Sequence, residues 1–178
     1  MFPDSLGDLI VAGEIENGTN KPVYSVKVIG KFYDDSGVFL ATEYTYALLT
    51  RTSPGQRVPF RLYLNNAPVG ITHVDLTLSA SASSFLVYYD VAVLSQQARD
   101  NSGVEVFGEV QNVAPKTLQN AKIAVTFYDG AGNVFNTDWG YATISPLPSG
   151  ATSTYQVATF SSQLNGLPFS VQAQGYAQ

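Results

Sequence analysis

Acid–base or nucleophilic chemistry needs side chains that work in pairs, and this sequence supplies few. His73 is the single histidine, and there is no cysteine. Ser–His and Cys–His pairs and thiolate-held zinc therefore have nothing to build on. The carboxylates Glu14, Glu109, Glu43 and Asp138 stand singly. Asp34-Asp35 is the one acidic doublet that suggests calcium, an ion that takes roughly six to eight oxygens. No glycine-rich phosphate cradle occurs. The residues point to no catalytic, cofactor or metal site, and so to a protein that is not an enzyme. For binding, the chain offers aromatics. Tyr44 and Tyr46, and later Trp139 and Tyr141, sit two apart on strand-like stretches. Facing outward, they form a surface for a protein partner or a stacking surface for a sugar. With the opposite parity they are core.

Those aromatics belong to a pattern written twice. Val11-Ala-Gly-Glu-Ile-Glu-Asn17 returns as Val106-Phe-Gly-Glu-Val-Gln-Asn112, and Phe32-Tyr-Asp34 as Phe127-Tyr-Asp129. The offset is 95, the difference between 106 and 11 and between 127 and 32. Tyr44/Tyr46 and Trp139/Tyr141 are matched at the same offset. Alternation with period two, punctuated by Gly, Pro and Asn, runs throughout and predicts an all-β chain. The expected architecture is two tandem immunoglobulin-like β-sandwich domains, residues 1–83 and 84–178, joined by a short hinge at Ser81-Ala-Ser-Ser84.

Position by position, Val11 and Ile15 point inward and Glu14 and Glu16 outward to water. Gly13 and Gly108 then also point inward, where they allow a bulky neighbour to approach. Asn17 and Asn112 end the strand by bonding the backbone of the next loop. Asn17-Gly-Thr19 is a glycosylation triplet, but Asn112-Val-Ala114 is not, so the triplet reads as chance. Asp34 and Asp129 start hairpin turns that Gly37 and Gly132 close. Lys27 and Lys122 mark a wet face. Residues 85–94 read as one strong first strand of the second domain, followed by a polar turn over 95–103. The first domain has no equivalent, which predicts an open sheet edge suited to strand addition or to an edge-strand dimer. The missing strand and an opening Met1-Phe-Pro-Asp4 suggest a fragment whose export signal or anchor lies elsewhere.

Composition narrows the class further. Of 178 residues 45% are hydrophobic, enough for a core, while only 13% are charged, and the net charge is −5. A chain this acidic lacks the clustered Lys and Arg that phosphate backbones require, so nucleic acid is not an expected partner. No run of about eighteen apolar residues is present, so no membrane-inserted helix is expected.

The Gly-x-Ile/Val-x-Asn strands at Gly13–Asn17 and Gly108–Asn112, followed by Phe32-Tyr-Asp34 and Phe127-Tyr-Asp129, resemble the FxLYD family of bacterial and archaeal surface proteins. The chain departs from that pattern at Gly30 and Val125, where the family has its first Phe. It departs again at Phe32 and Phe127, where the family has Leu. The resemblance covers both copies. It implies immunoglobulin-like sandwiches, often in tandem, on extracytoplasmic proteins, with no catalytic residues. The implied role is to display or space surfaces on a cell-envelope protein, facing a protein or cell-surface partner, with carbohydrate binding through the aromatics as the alternative.

Overall fold

The computed structural model describes residues 1–3, 7–100 and 102–177. The first half holds Phe2–Pro3 (β1), Leu9–Glu16 (β2), Val23–Tyr33 (β3), Phe39–Tyr46 (β4), Arg51–Thr52 (β5), Arg57–Leu64 (β6) and His73–Ser81 (β7). The second holds Val87–Asp90 (β8), Ala92–Asp100 (β9), Val104–Gln111 (β10), Gln119–Tyr128 (β11), Val134–Tyr141 (β12), Thr152–Thr159 (β13) and Phe169–Ala177 (β14). One 3-10 turn, Ser162–Leu164, is the only helical piece among the described residues. The fold is all-β and sheet-rich.

The described residues form four antiparallel sheets. Sheet I is β1-β2-β6, and sheet II is β4-β3-β7 with β5 also on β3. Sheet III is β12-β11-β14-β8, and sheet IV is β13-β10-β9. Sheets I and II enclose one core, built on Val11, Ile15, Val28, Phe32, Phe60 and Leu62. Sheets III and IV enclose another, built on Val106, Val110, Ile123, Val125, Phe127 and Tyr155. The alternation explains both, because each of these residues lies on the one face of its strand that is removed from water.

Residues 95 apart make the same contacts. Asn17 Nδ2 donates to the Lys21 and Thr52 carbonyls at 2.8 and 2.9 Å. Asn112 Nδ2 donates to those of Lys116 and Leu147 at 2.8 and 2.9 Å. Both side chains are buried, their amides spent on loop backbone. Asp34 Oδ1 accepts from the Ser36 and Val38 amides, and Asp129 Oδ1 from those of Ala131 and Asn133. Gly37 and Gly132 take the left-handed conformation that closes each turn, with φ of 78° and 82°. Gly13 lies under the Phe60 ring and Gly108 under the Tyr155 hydroxyl, the close approach expected of a strand glycine.

Three expectations change. Residues 85–94 are not one strand: β8 pairs with β14, β9 pairs with β10, and the chain crosses between sheets at Val91. Val91 is buried, and its N–H donates to Ala173 O at 2.9 Å, which fixes the crossing. The expected polar turn is mostly strand, since β9 runs to Asp100. Its Gln96 and Gln97 stay exposed on an outer edge, so polarity there reports solvent and not a turn. Finally, the faces taken to be wet are partly dry. Ala124 and Thr126, which follow Lys122 on the outer face of β11, are each 1% exposed, and Ala124 belongs to the first half's core cluster.

That last difference arises because the outer faces of sheets I and III pack on each other. Thr137 Oγ1 donates to Phe60 O at 3.2 Å, and Arg61 donates to Thr137 O at 3.0 Å while lying 3.5 Å from the Asp138 carboxylate. The Gln174 amide bonds both the N–H and the carbonyl of Arg51, each at 2.9 Å. Tyr128 donates to Glu14 at 2.8 Å, so this carboxylate faces protein and not open water. The connection between β7 and β8 is short, and these contacts hold the halves against each other beyond it.

Candidate functional site

All four aromatics singled out from the sequence point outward. Tyr44, Tyr46, Trp139 and Tyr141 are 53, 50, 46 and 50% exposed. The pleat dictates this. In β4, Tyr44 and Tyr46 lie opposite Ile29 and Lys27 of β3, on the side of sheet II away from Val28 and Phe32. In β12, Trp139 and Tyr141 lie opposite Ala124 and Lys122 of β11. Strand parity continues inward at Ala47 and Ala142, both buried; Ile144 is 48% exposed, because β12 ends at Tyr141.

Each pair has the same internal geometry. Tyr44 and Tyr46 meet edge to face at 6.1 Å and 88°, Trp139 and Tyr141 at 5.5 Å and 79°. A lysine ammonium sits over one ring of each: Lys27 Nζ is 3.7 Å from the Tyr44 centroid and Lys122 Nζ 4.4 Å from that of Trp139. Cation–π attraction holds each ring in place against solvent. The perpendicular rings and the ammonium cap mean that neither pair forms a flat stacking platform.

The two faces differ in what surrounds them. Around Tyr44 and Tyr46, sheet II is open to solvent. Around Trp139 and Tyr141, the first half abuts sheet III and leaves a cleft of about 210 Å³. Its walls are the Leu48–Thr50 segment on one side and Tyr88, Tyr141, Tyr176, Asn120, Gln174 and Lys122 on the other. The Tyr88 and Tyr176 rings meet at 5.8 Å, tilted by 57°, and Asn120 Nδ2 donates to the Tyr176 hydroxyl at 3.4 Å. Burial lowers the Lys122 pKa from the usual lysine range, because desolvation disfavours the ammonium form. The cleft is thus aromatic and amide-lined, with one partly desolvated cation. Sequence reading missed Tyr88, Tyr176 and Asn120, since only the packing of the first half brings a wall to face them.

His73 and the turn aspartates have structural partners. His73 is exposed and bonds Asp75 at 2.8 Å. The Asp34 and Asp129 carboxylates accept turn amides. Among the described residues, no group of three His, Asp or Glu is placed to hold a metal ion, and no helix is long and apolar enough to cross a membrane. The chain matches no family model and no curated protein.

Proposed function

We propose that the chain is a non-catalytic interaction module of the cell envelope, acting outside the cytoplasm as a pair of FxLYD-type sandwiches. The observation that carries this reading is the repeated outward aromatic pair with its lysine. Half-exposed Tyr and Trp beside a cation are the residue types that anchor protein interfaces. Chains that only space other domains gain nothing from holding four such rings in water. The open face of sheet II, with Tyr44, Tyr46, Ile29 and Lys27, is the proposed partner surface. Its strands are hydrogen-bonded on a packed core, so it binds as a rigid display.

The test is a cross-linking capture on envelope fractions with the intact chain, Tyr44→Ser/Tyr46→Ser and Trp139→Ser/Tyr141→Ser. Specific partners retained by the intact chain and lost by the sheet II variant support the reading. Equal capture by all three proteins would sink it. Carbohydrate is the second reading, and the cleft beside Tyr141 is the observation that favours it. Tyrosine faces and the amides of Asn120 and Gln174 match the apolar and hydroxyl surfaces of a sugar. Retention on envelope polysaccharide that Tyr176→Ala abolishes supports this reading; no retention of any polysaccharide removes it.

A further inference from the structure

The inward face of β7 is uncovered. Val28 lies opposite Leu78, Gly30 opposite Leu76 and Phe32 opposite Val74, so these β7 residues share the core face of sheet II. Yet Leu76 is 45% and Leu78 50% exposed. Inward-facing leucines in a sandwich are normally removed from water. The matching residues of the second half are covered: Ala173 is 6% exposed, and Val171 packs against the core. The cover there is residues 87–94. β8 pairs with β14 along its outer edge, and Tyr89, Val91 and Val93 turn into the core.

In the first half, β7 pairs with β3 alone among the described strands, and only the two-residue β1 lies on the outer edge of β2. An open groove of about 180 Å³ remains between β2 and β7. Ile15, Val23, Val26, Leu78 and Ala80 line it, with Thr52, whose buried Oγ1 has no hydrogen-bond partner. Its one charged lining residue, Glu16, is bonded to Arg57 at 3.0 Å. The groove therefore presents an apolar slot beside an unpaired strand edge.

We propose that this groove is a docking site for an extended segment of a partner protein. That segment adds as an antiparallel strand to β7 and places an uncharged aliphatic residue between the sheets, as Val91 does in the second half. The second half supplies the template: the same slot, 95 residues on, holds an extended segment apolar at Tyr89, Val91 and Val93. The lining, with its only charge already paired, asks for the same uncharged inward residues. A second copy fits less well. Two β7 strands pairing antiparallel about Thr77 set Leu76 against Leu78, but they leave the space between the sheets empty. Strand addition satisfies the edge amides and carbonyls and fills the slot together.

The test uses the intact chain and a fluorescently labelled peptide of residues 85–96. Saturable binding with a Kd on the order of 10 μM is expected, with new hydrogen-exchange protection at residues 73–81. Val91→Asp in the peptide should weaken binding by about tenfold or more, because a carboxylate cannot enter the slot unpaired. Leu78→Arg in the protein should abolish it. Leu78 is half exposed, so this variant keeps its fold, which circular dichroism checks. Absence of binding at about 1 mM peptide overturns the proposal. So does protection confined to 169–177, which reports strand exchange in the second half, or a β7-dependent dimer that excludes the peptide.

Discussion

Two buried asparagines illustrate how single residues carry this fold. Asn112 spends its whole amide on backbone: two carbonyls accept from Nδ2, and Oδ1 accepts from the Ala114 N–H at 2.9 Å. Alanine at this position leaves the buried Leu147 carbonyl and Ala114 N–H, and the part-buried Lys116 carbonyl, without this partner. Asn112→Ala should destabilise the chain by about 2–4 kcal/mol in urea titrations, with little change in the native circular dichroism. Asn17 has the same role with help from Thr19, whose hydroxyl donates to Asn17 Oδ1 at 2.8 Å. Tyr155 shows the cost of burying a phenol. Burial pushes its pKa up to about 12, while its hydroxyl donates to Ser95 O at 3.0 Å. The unfolded phenol titrates near 10. Between about pH 10 and 12 the unfolded chain releases this proton and the folded chain keeps it, so stability falls as pH rises through that window. The thermal midpoint should drop there, and Tyr155→Phe should blunt the drop relative to the parent.

At the level of strands, the glycine of the Gly-Glu-x-x-Asn stretch is a packing device, and its two copies are not equally tolerant. A methyl on Gly108 runs into the Ser95 carbonyl oxygen, which is backbone held in the β9–β10 ladder. A methyl on Gly13 meets only the Phe60 ring, at 2.7 Å, and a ring can tilt. Gly108→Ala should therefore cost about 2–4 kcal/mol and Gly13→Ala about half that, read from denaturant midpoints at constant slope. The difference traces to β9, the strand that covers Gly108 and that the first half largely lacks. Most of this level was legible in the sequence. Alternation gave the inward faces of β2 and β10, and the paired Asn and Asp gave the loop closures. The crossing at Val91 was not legible. A strand that changes sheets keeps its period, so residues 85–94 read as one continuous run. The outward parity of Tyr44 and Trp139 also stayed open, because an aromatic fits either face of a pleat and only the register with β3 and β11 decides.

For the whole molecule, the main determinant is which sheet faces are closed. The first half covers the outer face of sheet III at Ala124 and Thr126 and leaves Trp139 and Tyr141 half exposed; the outer face of sheet II is open. The sequence holds the reason, though only in comparison. Ala124 and Thr126 stand where the first half has Ile29 and Lys31. Small neutral residues let Pro59 and Arg61 approach β11, whereas a lysine at the same place keeps its face in water. Reading each copy alone, Lys122 made the face of β11 look wet, and no single-strand pattern marks a contact formed between distant units. The substitution that transfers this property is Thr126→Lys. Thr126 is 1% exposed, and a lysine there must either bury an unpaired ammonium or push the halves apart. Separation is the less costly outcome, because each half retains its own apolar core, while the carboxylates at this contact are already engaged, Glu14 by Tyr128 and Asp138 by Arg61, and a further buried ammonium loses its hydration beside the Arg61 guanidinium. The intact chain should unfold in one transition with a compact scattering profile. Thr126→Lys should raise the radius of gyration measured by small-angle X-ray scattering and split unfolding into two transitions. An unchanged radius with a single transition would show that the contact between sheets I and III does not depend on the small residues of β11.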